Sequence, residues 1–174
     1  MAIQGIDFAS LSLMDALDLA ILIEDEAQER YEEFAAQMEQ HRTPDAAKFF
    51  RYMVENESKH GRELLARRVQ KFGDAPRVVT RAMIFDIEAP DYDAARAFMT
   101  PRKAMEAAMA CEVKAHNFFV AALPALKDVE VRALFEELRG EELEHQKLVQ
   151  IELAKLPPDS GLSDEDFVDE PAPQ

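Results

Sequence analysis

The stretch Val54-Glu-Asn-Glu57-Ser-Lys-His60-Gly-Arg-Glu-Leu-Leu65 decides how this chain folds. Met53 and Leu64 recur at helical spacing, and Glu57 and His60 fall on the same stripe. A Glu and a His three residues apart on a helix project from one side, so both can reach one centre. Placed among core residues, such a pair has to be satisfied from inside the fold. The device returns at Glu142-Leu-Glu-His145, within the stripe Val131, Phe135, Leu138, Glu142, His145, Val149.

Working outward, each Glu-x-x-His is preceded by a carboxylate stranded among apolar residues. Glu24 lies 33 residues before Glu57, and Glu112 lies 30 before Glu142. Glu24 interrupts the stripe Met14, Leu17, Ile21, Gln28, Tyr31, Ala35, Met38, and Glu112 interrupts Met105, Ala108, Ala115, Phe119, Ala122, Leu126. The surroundings repeat too: Glu24-x-x-Ala27-x-x-x-Tyr31 matches Glu112-x-x-Ala115-x-x-x-Phe119. The chain therefore reads as two helical hairpins of one design, facing each other across a pseudo-twofold axis.

Start and stop signals set the helices. Ser12, with Asp15 three residues on, starts a first helix that runs to His41. Thr43-Pro44 and Thr100-Pro101 each place a capping residue before a proline at the first helical position. The second helix ends near Gly73, and the fourth follows Asp128. In the second hairpin Glu112 and Glu142 are level about a turn near residue 127. In the first, Glu24 and Glu57 are offset by three residues, roughly 4.5 Å.

The predicted fold is all-α: a four-helix bundle over residues 12–155, two antiparallel hairpins joined by a long crossover, 74–99. Helix connections in bundles usually take roughly 2 to 8 residues, so a crossover this long recrosses the bundle and makes the second and third helices parallel. Val78, Val79, Met83, Ile84, Phe85 and Ile87 are expected to pack it along the bundle, and 91–98 to form a short helix. Residues 1–11 form an N-terminal arm. Residues 156–174, acidic, rich in Pro and without a basic residue, are expected to be a disordered tail.

Composition narrows the chemistry. With a net charge of −15, nucleic acid and anionic membranes are poor partners. No apolar run is long enough for a membrane span, and no leader is apparent, so the cytoplasm is the expected compartment. Cys111, the one cysteine, excludes an internal disulfide and any Cys-x-x-Cys site.

What remains is a set of four carboxylates and two imidazoles. One Glu from each of two helices, with a Glu-x-x-His from each of the other two, is the ligand pattern of di-metal four-helix bundles. This oxygen-rich set without thiolate suits iron or manganese. Four buried carboxylates would each cost several kcal/mol, and two divalent ions would neutralise them.

Other residues are open to two readings. Tyr31 could hydrogen-bond a ligating carboxylate or take part in electron transfer, or simply pack its ring. Asn56 and Glu141 could orient the imidazoles or be solvated. Gln28 could line the pocket. His116 reads as a boundary residue, His41 as a helix-end residue and Cys111 as a small packed side chain.

At these residues the chain resembles the ferritin-like di-iron superfamily, in particular its rubrerythrin-like and bacterioferritin branches. Glu24-Asp-Glu-Ala-Gln-Glu-Arg-Tyr31-Glu-Glu-Phe34 is similar to the first ligand helix of rubrerythrins, and Glu55-Asn-Glu57-Ser-Lys-His60 to the second. The resemblance implies two iron ions per chain. Glu24 and Glu112 would be terminal ligands, Glu57 and Glu142 bridges, and His60 and His145 one ligand to each ion. It implies an oxidoreductase that reduces peroxide or oxygen with electrons from an external donor, Glu57, Glu142 and Tyr31 carrying the chemistry. The oligomer would be a homodimer in preference to a cage. Rubrerythrins add a further Glu on the third helix where this chain has Ala115, and many carry a rubredoxin domain that is missing here. An iron-storing ferritin and a manganese enzyme acting on peroxide are the alternatives.

Overall fold

The computed structural model describes residues 2–3, 6–84 and 100–158. Among them four long helices dominate: α1 (Leu13–Gln40), α2 (Pro44–Phe72), α3 (Pro101–Ala122) and α4 (Val129–Lys155). Each begins where its cap residue stands. The Ser12 hydroxyl accepts the Asp15 N–H at 3.1 Å and donates to its carboxylate at 2.6 Å. Thr100 accepts from the Lys103 N–H at 3.2 Å, and Asp128 accepts from Glu130 and Val131 at 2.8 and 3.1 Å. These bonds satisfy amide hydrogens that the first helical turn leaves without a partner.

The α1–α2 turn is tight enough to hold the hairpin in register. Arg42 adopts φ 57°, while Thr43 N–H reaches Met38 O at 3.0 Å and Arg42 N–H reaches Glu39 O at 3.2 Å. This is a Schellman ending with Arg where glycine is usual. At the far end of α2, Gly73 takes φ 58° and ψ −139°, a conformation that favours glycine.

Arg68 fastens that end. Buried, it donates to both Asp18 oxygens at 2.9 and 3.2 Å and to the carbonyls of Gly73 and Ala75 at 2.8 and 2.6 Å. Asp18 is fully buried on α1 and also lies 3.3 Å from Arg77. The start of the crossover is thereby tied to the first helix, a buried network that the apolar stripes did not reveal.

α1 packs chiefly on α2, and α3 on α4. The core divides into two apolar clusters. One gathers Phe8, Leu17, Ile21, Leu64, Phe119 and Phe135; the other gathers Tyr31, Phe34, Phe50, Met53, Met105 and Val149. On every helix the candidate ligands lie between the residues of the two clusters. Along α2 and α3 the clusters follow in the same order, so these two helices run parallel, as a long crossover requires.

One expectation is corrected. Val78 is 61% exposed and Met83 is also exposed; only Val79 and the fully buried Ile84 pack on the bundle. A connecting segment needs few anchors once Arg68 and Arg77 hold it. Gln28 is half-buried and donates its amide to Glu32 at 2.9 Å on its own helix. The N-terminal arm is part of the core: after the short antiparallel pair β1 (Ala2–Ile3) and β2 (Ile6–Asp7), Phe8 packs edge-on against Phe118 and Phe135 at 5.6 and 6.4 Å. Phe85, Ile87, the short helix expected over 91–98 and the tail from 159 onward lie outside the described residues.

Candidate metal centre

Between the two apolar clusters lies a layer of ionisable side chains contributed by all four helices: Glu24 from α1, Glu57 and His60 from α2, Glu112 from α3, Glu142 and His145 from α4. Glu24, Glu57, Glu112, Glu142 and His145 are between 2% and 5% exposed. His60 retains 18% of its side-chain surface. A core of this kind is far too costly to hold without compensation, since uncompensated buried carboxylates cost several kcal/mol each.

The distances bring all six into one layer. Glu57 occupies its middle: Oε1 lies 3.2 Å from His145 Nδ1, and Oε2 lies 3.9 Å from His60 Nδ1. His145 Nδ1 is also 3.3 Å from Glu112 Oε2, and His60 Nδ1 is 3.6 Å from Glu24 Oε2. The imidazoles stack, with centroids 5.3 Å apart and planes 11° from parallel. Three groups have ligand atoms within 4.8 Å of one another: Glu57, His60 and His145; Glu112, Glu142 and His145; and Glu24, His60 and Glu141.

The two halves are unequally furnished. The Tyr31 hydroxyl crosses from α1 to donate to Glu112 Oε1, and Gln146 donates to the Glu112 carbonyl at 3.2 Å. Burial pushes the Tyr31 phenol well above its ordinary range, and the charges of Glu112 and Glu57 push it further. It therefore stays protonated and donates. Burial would raise Glu112, but pairing with His145 and hydrogen bonds from Glu142 and Tyr31 outweigh it and hold the carboxyl below its usual value. In the other half, the buried Glu24 Oε2 and His60 Nδ1 make no hydrogen bond. Glu24 nevertheless raises the His60 imidazole against the opposing effect of burial.

These observations test whether a metal fits. Four carboxylates supply hard oxygens, two imidazoles supply directional nitrogens, and the buried atoms of Glu24 and His60 that lack hydrogen bonds face one another. A divalent ion would satisfy both. Glu57, with one oxygen toward each imidazole, has the disposition a bridging carboxylate needs. The residues fit a di-metal centre of the iron or manganese type.

Glu141 belongs to this layer as well, although the sequence left it between an orienting residue and a solvated one. Its place just before Glu142 was the available signal; which imidazole it would face could be decided only by helix packing. Asn56, in the matching place before Glu57, lines a second cavity beside His145. His116 is half-buried with its Nδ1 3.4 Å from Asn117 Oδ1, outside the layer. His41 caps α1 and Cys111 is buried.

The sequence profile of the Rubrerythrin family matches residues 15–153, a span that contains all six candidate ligands. Among solved structures the chain is similar to an uncharacterized conserved protein from Magnetospirillum magnetotacticum MS-1. The two share 29% identity and a TM-score of 0.73, the match covering 86% of this chain and 99% of the other. No curated protein matches the chain. No helix among the described residues is long and apolar enough to cross a membrane.

Proposed function

The chain belongs to the rubrerythrin family, and we propose that it is a di-iron oxidoreductase that reduces peroxide or oxygen with electrons from an external donor. The observation that carries this reading is Glu57, buried at the centre of the layer with one oxygen toward each imidazole. Glu24 and His60 would hold one ion, Glu112 and His145 the other, with Glu57 and Glu142 between them. The irons supply a one-electron couple each, so that a two-electron oxidant can be reduced at one centre.

The chain's own residues shape that chemistry. Tyr31, kept protonated by burial, fixes the orientation of Glu112 by donating to it. Phe50 stacks on the Tyr31 ring at 5.9 Å, and Phe34 lies edge-on at 6.4 Å, which holds the phenol in place and excludes water. The carboxylates neutralise the ions without net charge in the core, which keeps the layer compatible with its apolar flanks. We further propose a cytoplasmic homodimer, in preference to a mineral-storing cage.

The test is metal analysis of purified protein, followed by anaerobic ferrous titration and rapid mixing with peroxide or oxygen. Two irons per chain, oxidised by one of these oxidants and re-reduced by an external donor, are expected. At most one ion bound, or no oxidation by either oxidant, refutes the reading. Manganese at full occupancy would move the assignment to the manganese alternative, and a cage-sized native mass would move it to storage.

A further inference from the structure

The two hairpins repeat each other closely, so the positions where the repeat fails are informative. Tyr31 and Phe119 occupy matching places seven residues after Glu24 and Glu112. The phenol serves Glu112; the phenyl ring of Phe119 has no hydroxyl to offer Glu24. Glu24 Oε2 is buried with no hydrogen bond. Asn56 and Glu141 occupy the places before Glu57 and Glu142, so an amide stands in one hairpin where a carboxylate stands in the other.

We propose that Glu141 is a seventh metal-ligating carboxylate, which takes a divalent cation from the groove between α2 and α4 and passes it to Glu24 and His60. The inference rests on the di-metal reading above and adds to it a route and a residue. Glu24, His60 and Glu141 present ligand atoms within 4.8 Å of one another, and His60 is the least buried of the six. The groove, about 400 Å³, reaches His60 and Glu141 past Glu63, Arg67 and Glu137. Of its carboxylates, Glu137 is paired with Arg67 at 2.9 Å and Glu63 lies 3.8 Å from Lys59. Glu141, half-buried at the inner end, is close to both the groove and the hydrogen-bond-free oxygen of Glu24.

The physics favours this arrangement. A hydrated cation loses its water shell stepwise, and each step needs an anionic oxygen within reach of the next. Three carboxylates against one arginine line the groove, and a negative excess raises the local cation concentration and speeds association, by roughly 10 to 10³-fold where a single sign lines the walls. The cavity beside His145 gives less access to the ligands of that half: His145 is 5% exposed, and Glu112 is held by Tyr31.

The experiment follows cobalt(II) binding to the metal-free full chain by stopped-flow absorbance, for wild type, Glu141→Gln, Glu141→Asp and His60→Ala. Glu141→Gln is expected to slow association of one of the two ions about tenfold or more while two ions still bind at saturation. Glu141→Asp is expected to recover much of the rate. A residue that only orients the imidazole would change the release rate and leave association untouched. Wild-type association in Glu141→Gln overturns the proposal. If Glu141→Gln matches wild type while His60→Ala loses one ion, only this inference fails. If wild type binds no cobalt at all, the di-metal reading falls with it.

Discussion

The two halves of the candidate metal layer come from repeated sequence and differ in finish. Around His145 the half is the more enclosed: Glu112, Glu142 and His145 are buried, Tyr31 donates to Glu112, and Gln146 holds the α3 backbone. Around His60 the half is open: the imidazole reaches a groove, and Glu24 keeps an oxygen without a hydrogen bond. A repeated Glu-x-x-His motif sets where the layer sits, while single unrepeated residues decide which half is more enclosed and which opens on a groove.

The strongest way to break this comparison is Glu57→Ala. Glu57 places one oxygen toward each half, so its loss is expected to abolish retention of both ions and to lower oxidation turnover more than 100-fold, about 3 kcal/mol of barrier. Metal content after gel filtration decides it. If one ion stays bound, the halves are independent, and Glu57 does not join them.

The two histidines should then separate the halves. In the metal-free protein His145→Ala leaves buried Glu112 and Glu57 without their imidazole neighbour, at a cost on the order of 1–3 kcal/mol. His60→Ala removes a partly solvated ring and is expected to cost less. Both variants should keep the helical fold, because the apolar clusters carry most of its stability, and both should lose turnover. Urea denaturation of the two apo variants measures the order; a less stable His60→Ala would reverse the assignment of closed and open.

Tyr31→Phe sharpens the comparison at one atom. It keeps the ring between Phe34 and Phe50 while removing the donor to Glu112, making that half resemble the other. Two ions should still bind, with apo stability lower by about 1–2 kcal/mol. Unchanged denaturation would mean that the hydroxyl contributes nothing to holding Glu112.

The smallest effect is expected at the groove mouth. Arg67→Ala frees Glu137 from an ion pair whose side chains are 41% and 48% exposed, so stability should change by less than about 1 kcal/mol. Cation association with the open half should nevertheless rise, most visibly at low salt. Slower association would show that the groove is not the route.

Much of the fold was legible beforehand because its signals are local. Ser12, Thr43-Pro44, Thr100-Pro101 and Asp128 start helices where they stand in sequence, and Gly73 ends one, because caps, proline and left-handed backbone act within a turn of chain. The six candidate ligand positions were legible for a related reason: each interrupts an apolar stripe, and periodicity alone says that a side chain faces inward. Arg68 escaped notice because its partners, Asp18 and two carbonyls, are brought to it only by tertiary packing.

The sequence by itself thus determined four helices, their pairing into two hairpins and a core layer of four carboxylates and two imidazoles. The tertiary structure alone decided that Tyr31 crosses to the Glu112 of the other hairpin, that Glu141 comes beside Glu24 and His60, and that His60 looks into a groove. The reason is geometric: helical periodicity specifies the direction of a side chain to within a face, whereas a contact depends on where a second helix lies to within an ångström or two.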